Sequence, residues 1–201
     1  MSELASLYAQ VTQCQQCILG QGRTNAVPGE GPADATIMFI GEGPGFHEDR
    51  LGRPFVGAAG KFLEELLEEI DMSRSEVYIT NVVKCRPPGN RDPKPEEILA
   101  CKAYLDRQME LIRPRLVVTL GRFSMQRYFP GASISRIHGQ PKRMGNVIYY
   151  PMFHPAAALH QPRWRSVVEE DMLRIPVLLA KLDEIEEEAP PPPQAQQLSL
   201  F

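Results

Sequence analysis

Four short apolar runs, at residues 36–40, 77–83, 116–120 and 147–153, recur along the chain, and between them the apolar residues change to a helical spacing. Phe62, Leu63, Leu66, Leu67 and Ile70 step in that way, as do Ile98, Cys101, Leu105, Met109 and Ile112, and a last helix is expected over residues 163–185. Runs that are apolar at nearly every position belong to strands covered on both faces. The alternation therefore predicts an α/β fold: three α/β/α layers around a central, mainly parallel, four-stranded sheet. A chain of 201 residues is long enough for one such domain with a substantial core.

In open parallel sheets, ligands bind beyond the carboxyl ends of the strands. The residues with chemical potential gather at those ends. Gly41-Glu42-Gly43-Pro44-Gly45 follows the first run, Asn81 lies late in the second, Gly121 closes the third, and His154-Pro155 follows the fourth. Four separate segments thus point to one edge of one sheet.

The composition changes beyond the last helix. Residues 1–185 read as one domain, and 186–196, with Glu186-Glu187-Glu188 followed by four prolines, read as an extended linker that cannot pack a core. Residues 197–201 form a terminal peptide. The net charge of -3 is unevenly spread: five of the 25 acidic residues follow Lys181, which leaves 22 basic against 20 acidic residues before them. That balance permits a nucleic-acid partner without requiring one. No run is long enough to span a membrane and no export signal is visible at the N-terminus, so a cytoplasmic, nucleoid-associated monomer with no membrane partner is expected.

Four cysteines complete the inventory: Cys14 and Cys17 as a CxxC pair, then Cys85 and Cys101 with 15 residues between them. Disulfides are not expected in a cytoplasmic chain of this size. Four independent buried thiols, a tetrahedral zinc site and a cubane iron–sulfur cluster all fit this spacing.

The segments 41–49 (GEGPGFHED), 52–57 (GRPFVG) with Ala59-Gly60, 79–88 (ITNVVKCRPP) and 153–155 (FHP) together resemble the signature of family-4 uracil-DNA glycosylases, in the same order over residues 12 to 180. The resemblance implies a 4Fe–4S cluster on Cys14, Cys17, Cys85 and Cys101. It implies that Phe55 stacks on a flipped uracil and that Asn81 reads the base edge, since one amide can both accept from N3–H and donate to O4. His154 is implied to bond uracil O2 and stabilise the leaving anion, and the backbone of Gly41, Glu42 and Gly43 to approach the base. Related families carry an aspartate at the third position of the glycine-rich loop; here that position is Gly43. Glu48 is therefore expected to handle water or the cationic sugar, with Glu42 as a supporting carboxylate. Uracil-trapping relatives carry an extra basic loop with an attacking histidine, but residues 86–100 hold no histidine.

Leu159 is expected to wedge into the gap left by the base, and Arg163, Arg165, Lys84 and Arg86 to contact phosphates. Gln197, Leu198, Ser199, Leu200 and Phe201 resemble the bacterial sliding-clamp-binding motif. The expected partners are uracil-containing DNA, single- or double-stranded, and the clamp. The alternative is a non-catalytic iron–sulfur DNA-binding or clamp-adaptor protein, which a uracil-release assay separates from a glycosylase.

Overall fold

A computed structural model describes residues 2–161 and 163–182. In chain order the elements are α1 (Glu3–Gln13), α2 (Leu19–Gly22), β1 (Ile37–Gly41), α3 (Phe46–Leu51), α4 (Ala58–Glu68), β2 (Tyr78–Asn81), α5 (Pro95–Ile112), β3 (Leu116–Leu120), α6 (Arg122–Gln126), α7 (Ile134–Ile137), β4 (Lys142–Met144), β5 (Val147–Met152), α8 (Pro155–His160), α9 (Arg163–Leu173) and α10 (Ile175–Ala180).

The sheet runs in the order β2-β1-β3-β5-β4. The four apolar runs supply its four parallel strands, with Gly41 opposite Asn81 and Leu120 opposite Met152. The sheet has five strands rather than the expected four, because β4 pairs antiparallel with β5 across a turn at Gly145. Lys142, Arg143 and Met144 carry no apolar run, and an edge strand paired on one side needs none. The single long final helix is instead two: Pro176, in the first turn of α10, cannot continue the hydrogen-bond ladder of α9.

Alternation along the strands sends side chains to two cores. Ile37, Phe39, Ile79, Val118 and Tyr150 face α4, α9 and α10, where Phe62, Leu63, Leu66, Leu67, Val168, Met172 and Ile175 are buried. Met38, Ile40, Tyr78 and Val117 face α1 and α5, meeting Leu7, Val11, Cys101, Leu105 and Ile112. Each fully buried aliphatic or aromatic side chain stabilises the fold by about 1.5–3 kcal/mol relative to exposure, so both faces of the sheet are anchored. Among the described residues, no helix is long and apolar enough to cross a membrane. The linker at 186–196 and the peptide at 197–201 lie outside the described residues.

Candidate active site

At the carboxyl edge of the sheet lies a cleft of about 630 Å³, within the size range of small-molecule sites. Glu42, Gly43, Glu48, Phe55, Asn81, His154 and Leu159 all line it. The segments that follow β1, β2 and β5 therefore meet in one place, with Gly121 packed behind His154.

Two of the site glycines are required by space. A Cβ at Gly41 would lie 2.4 Å from Asn81 Oδ1 and 2.7 Å from Phe55 Cζ, so only glycine lets those two side chains close over the end of β1. A Cβ at Gly43 would lie 2.7 Å from Val83 Cγ2. An aspartate at that third loop position would have to displace Val83.

Phe55 is buried and stacks on His154, with ring centroids 5.5 Å apart and planes at 22°. Its φ of 52° is left-handed, a region that costs a bulky residue of order 1–3 kcal/mol. Arg74 holds this turn in place. Its guanidinium donates to Phe55 O at 2.8 Å and to Pro54 O, and pairs with Glu30 and Glu64. Glu30, also gripped by Arg53, is held well below the usual carboxylate range, at about 2, chiefly by the Arg53 hydrogen bonds. Sequence reasoning missed Arg74 and Glu30, because they lie 19 and 25 residues from Phe55 and carry no motif of their own.

Asn81 is 2% exposed, and its Oδ1 is buried without a hydrogen-bond partner among the described residues. An unpaired buried carbonyl costs about 1–3 kcal/mol. Such an atom on the wall of a cleft is a ready acceptor for a ligand donor.

His154 caps α8: its Nδ1 accepts from the Ala156 amide at 3.1 Å. That bond assigns the ring proton of a neutral imidazole to Nε2. Burial pushes its pKa down to about 4, opposed only in part by the charge of Glu48, so the ring is neutral at pH 7. Gly121, at φ 85°, lets β3 end against this ring; a Cβ there would sit 3.1 Å from that of His154.

The two glutamates are held differently. Glu48 Oε2 accepts from the Gly45 amide at 3.1 Å, and Oε1 accepts from Val56 and Gly57, each at 2.8 Å. Both oxygens are thereby engaged in fastening the glycine-rich loop to the Phe55 loop. Glu42 lines the cleft with its pKa raised to about 7, first by burial and then by Asp92, while Arg122 opposes the shift. A carboxylate with that pKa exchanges a proton near neutrality.

The expected DNA contacts divide. Leu159, 44% exposed, lines the cleft from α8. Arg86 donates to Asn90 Oδ1 at 2.6 Å beside the cleft. Arg163 lies over Trp164 and bonds Gln161; Arg165 lies over Phe62 and pairs with Glu169 and Glu65. Lys84 requires correction. It is 1% exposed and cannot reach a phosphate: its ammonium donates to Thr80 Oγ1, Asn81 O and Gln108 Oε1, each at 2.7 Å. Three buried acceptors make burial tolerable where a sequence shows only a basic residue beside a cysteine, and desolvation pulls the pKa down to about 7.

The four cysteines line a second cavity, between α1, the Cys85 loop and α5. Three sulfurs receive N–H groups: Cys85 from Arg23 Nη1 at 3.0 Å, and Cys101 and Cys14 from the Lys84 and Gln16 amides, each at 3.5 Å. Burial raises the Cys101 thiol to about 11 and that of Cys85 in the same direction. Among the described residues, no three His, Cys, Asp or Glu side chains form a group that could grip a single metal ion.

The family model for the uracil DNA glycosylase superfamily matches residues 28–173. The chain is 49% identical to the type-4 uracil-DNA glycosylase of Sulfurisphaera tokodaii over 185 residues, covering 87% of this chain and 84% of the relative. It is 45% identical to that of Archaeoglobus fulgidus, covering 90% and 96%, and 46% identical to that of Thermotoga maritima, covering 81% and 87%. With the site residues assembled at one sheet edge and similarity of this extent, the chain belongs to the type-4 uracil-DNA glycosylases of the uracil DNA glycosylase superfamily.

Proposed function

We propose that the cleft hydrolyses the N-glycosidic bond of a deoxyuridine flipped out of DNA, initiating base excision repair. The observation that carries this reading is the buried, unpartnered Asn81 Oδ1 at the wall of a cleft that also presents the stacked Phe55 and His154 rings. Uracil N3–H satisfies that oxygen, and the Asn81 amide donates to O4. Phe55 stacks on the base. Neutral His154 donates from Nε2 to O2 as the N1–C1′ bond breaks and negative charge grows on the base. Water then adds to C1′ of the cationic sugar and gives up a proton, and the uracil anion that has already departed takes up a proton at N1 from solvent. Glu42 receives that proton, whereas Glu48 keeps the two loops in register. Release of free uracil from an oligonucleotide containing one deoxyuridine is the direct test; no release by the intact protein overturns the reading.

The role of Glu42 sets a pH dependence. A base with a pKa near 7 is protonated below it, so kcat/KM falls as pH drops through about 7, approaching tenfold per unit. His154 remains neutral across that range and adds nothing to the limb. Glu42→Gln should be slower and lose the limb; a wild-type profile that is flat from about pH 6 to about pH 8 removes Glu42 from this role.

The four cysteines would hold a 4Fe–4S cluster, which when bound supplies a cross-link between the segment carrying Cys14 and Cys17, the Cys85 loop and α5. The soft donor set and the three N–H groups directed at sulfur fit a thiolate-held cluster. The terminal peptide Gln197, Leu198, Ser199, Leu200 and Phe201 would tether the enzyme to the sliding clamp, with Leu200 and Phe201 as apolar anchors on an extended linker. Removing residues 194–201 should abolish clamp binding in a pull-down or by surface plasmon resonance and leave uracil release from free oligonucleotides unchanged. Undiminished clamp affinity after removal rejects the tether.

A further inference from the structure

We infer that Phe46 is a stacking platform for the nucleobase next to the flipped uracil on the same DNA strand. This rests on the glycosylase reading of the cleft and extends it to a neighbouring nucleotide. Phe46 is the first residue of α3, directly after the glycine-rich loop, and lines the cleft although 47% of it is exposed. A phenylalanine serving only the core would be covered, as Phe39, Phe55 and Phe62 are. Two cations bracket the ring: the Arg86 guanidinium lies 5.1 Å from its centroid and that of Arg50 5.7 Å. His47 meets it edge-on at 5.4 Å.

The charges around Phe46 fit a nucleic-acid strand. Arg53, Arg91 and Arg122 are each paired with a carboxylate. Among the described residues, Arg50 and Arg86 have no carboxylate partner, which leaves both cations for phosphates. Both guanidinium groups lie over the ring and would swing outward to the backbone phosphates as a base takes their place on it; aromatic rings with mobile arginines hold single-stranded nucleic acid in this way, with little regard to sequence because every base has a π face. The ring also borders the cavity assigned to uracil, so a base stacked on it belongs to an adjacent nucleotide. Leu159 lines the same cleft from α8. The two exposed apolar side chains thus have separate tasks, Leu159 in the vacated gap and Phe46 beneath a neighbouring base.

The test uses the full-length protein and a single-stranded oligonucleotide bearing a 2′-fluorinated deoxyuridine, which resists cleavage. The fluorescent base 2-aminopurine is placed on one side of the uracil and then on the other. Wild type should quench the probe strongly on one of the two sides. Phe46→Ala and Phe46→Leu should lose that quenching and bind roughly fivefold to a hundredfold more weakly. Phe46→Trp should keep both. If Phe46→Leu quenches and binds like wild type, the contact is merely apolar and the platform is refuted; wild-type behaviour of Phe46→Ala refutes it too. Should the wild type release no uracil and bind no DNA, the glycosylase reading itself fails, an outcome distinct from either.

Discussion

His154→Ala lowers the single-turnover rate of uracil release about a hundredfold to a thousandfold while leaving DNA affinity nearly unchanged. The size follows from what the ring does. A donor aimed at charge that appears only in the transition state accelerates the chemical step without tightening ground-state binding, and losing one such donor costs about 10²–10³ in rate. The geometry supplies the donor in advance: Nδ1 is committed to the Ala156 amide, and burial keeps the ring neutral, so Nε2 carries the proton at every pH above about 4. No proton has to arrive first. Alanine also removes the side-chain cap of α8, at a cost of about 1 kcal/mol in stability. His154→Asn separates the two effects, because asparagine caps well but is too short to replace the Nε2 donor. Both variants should be slow, and only alanine should lower the melting temperature. A His154→Asn enzyme with wild-type single-turnover rate would remove the histidine from the chemistry.

The same histidine has a signed effect on stability. Its folded pKa, near 4, lies below the usual value of 6.5, so between those values the unfolded chain binds a proton that the folded chain does not. Stability is therefore full above about pH 6.5 and falls as pH drops toward about 4. His154→Asn should flatten that part of the curve.

How much was legible in the sequence depended on whether a residue's environment was local. The parallel strands were readable because burial on both faces leaves an unbroken apolar run. β4 was not, since its single partner strand imposes no such pattern. Asn81 and His154 sat in motifs at strand ends that the sheet brings together, and Phe55 in a motif between α3 and α4 that folds back onto them. Lys84 went astray because what surrounds it, Thr80, Gln108 and the carbonyl of Asn81, comes together only when β2 packs on α5. The two glutamates were separable only in three dimensions. Glu48 is claimed by amides at Gly45, Val56 and Gly57, and the latter two are eight and nine residues away; Glu42 acquires its raised pKa from burial and from Asp92, fifty residues on. A sequence shows both as acidic residues near a glycine-rich loop.

Asn81→Asp should cut uracil release by at least about a hundredfold and shift the enzyme's preference toward cytosine. The argument rests on polarity. Uracil presents an acceptor at O4 and a donor at N3; cytosine presents a donor at the 4-amino group and an acceptor at N3. An amide with Oδ1 facing the N3 donor and its NH₂ facing O4 matches the first pattern and opposes the second at both positions. An ionised aspartate accepts at both oxygens. It keeps the N3–H contact with uracil but sets a negative charge against O4; with cytosine it accepts from the amino group, and once the carboxyl is protonated it also donates to N3, a match at both positions that uracil cannot make. A site built to pair polar groups discriminates by about 10⁴–10⁵ when the pairing fails, far more than shape alone achieves. Gly41 leaves the room this side chain occupies, since a Cβ there would come within 2.4 Å of Asn81 Oδ1. The measurement is single-turnover release from matched oligonucleotides carrying uracil or cytosine at one position, for wild type, Asn81→Asp and Asn81→Ala. Alanine should be slow on both bases and show no new preference, which separates loss of a contact from inversion of one. If Asn81→Asp keeps the wild-type ratio of uracil to cytosine release, the amide does not read the base edge, and the backbone of the glycine-rich loop must do so instead.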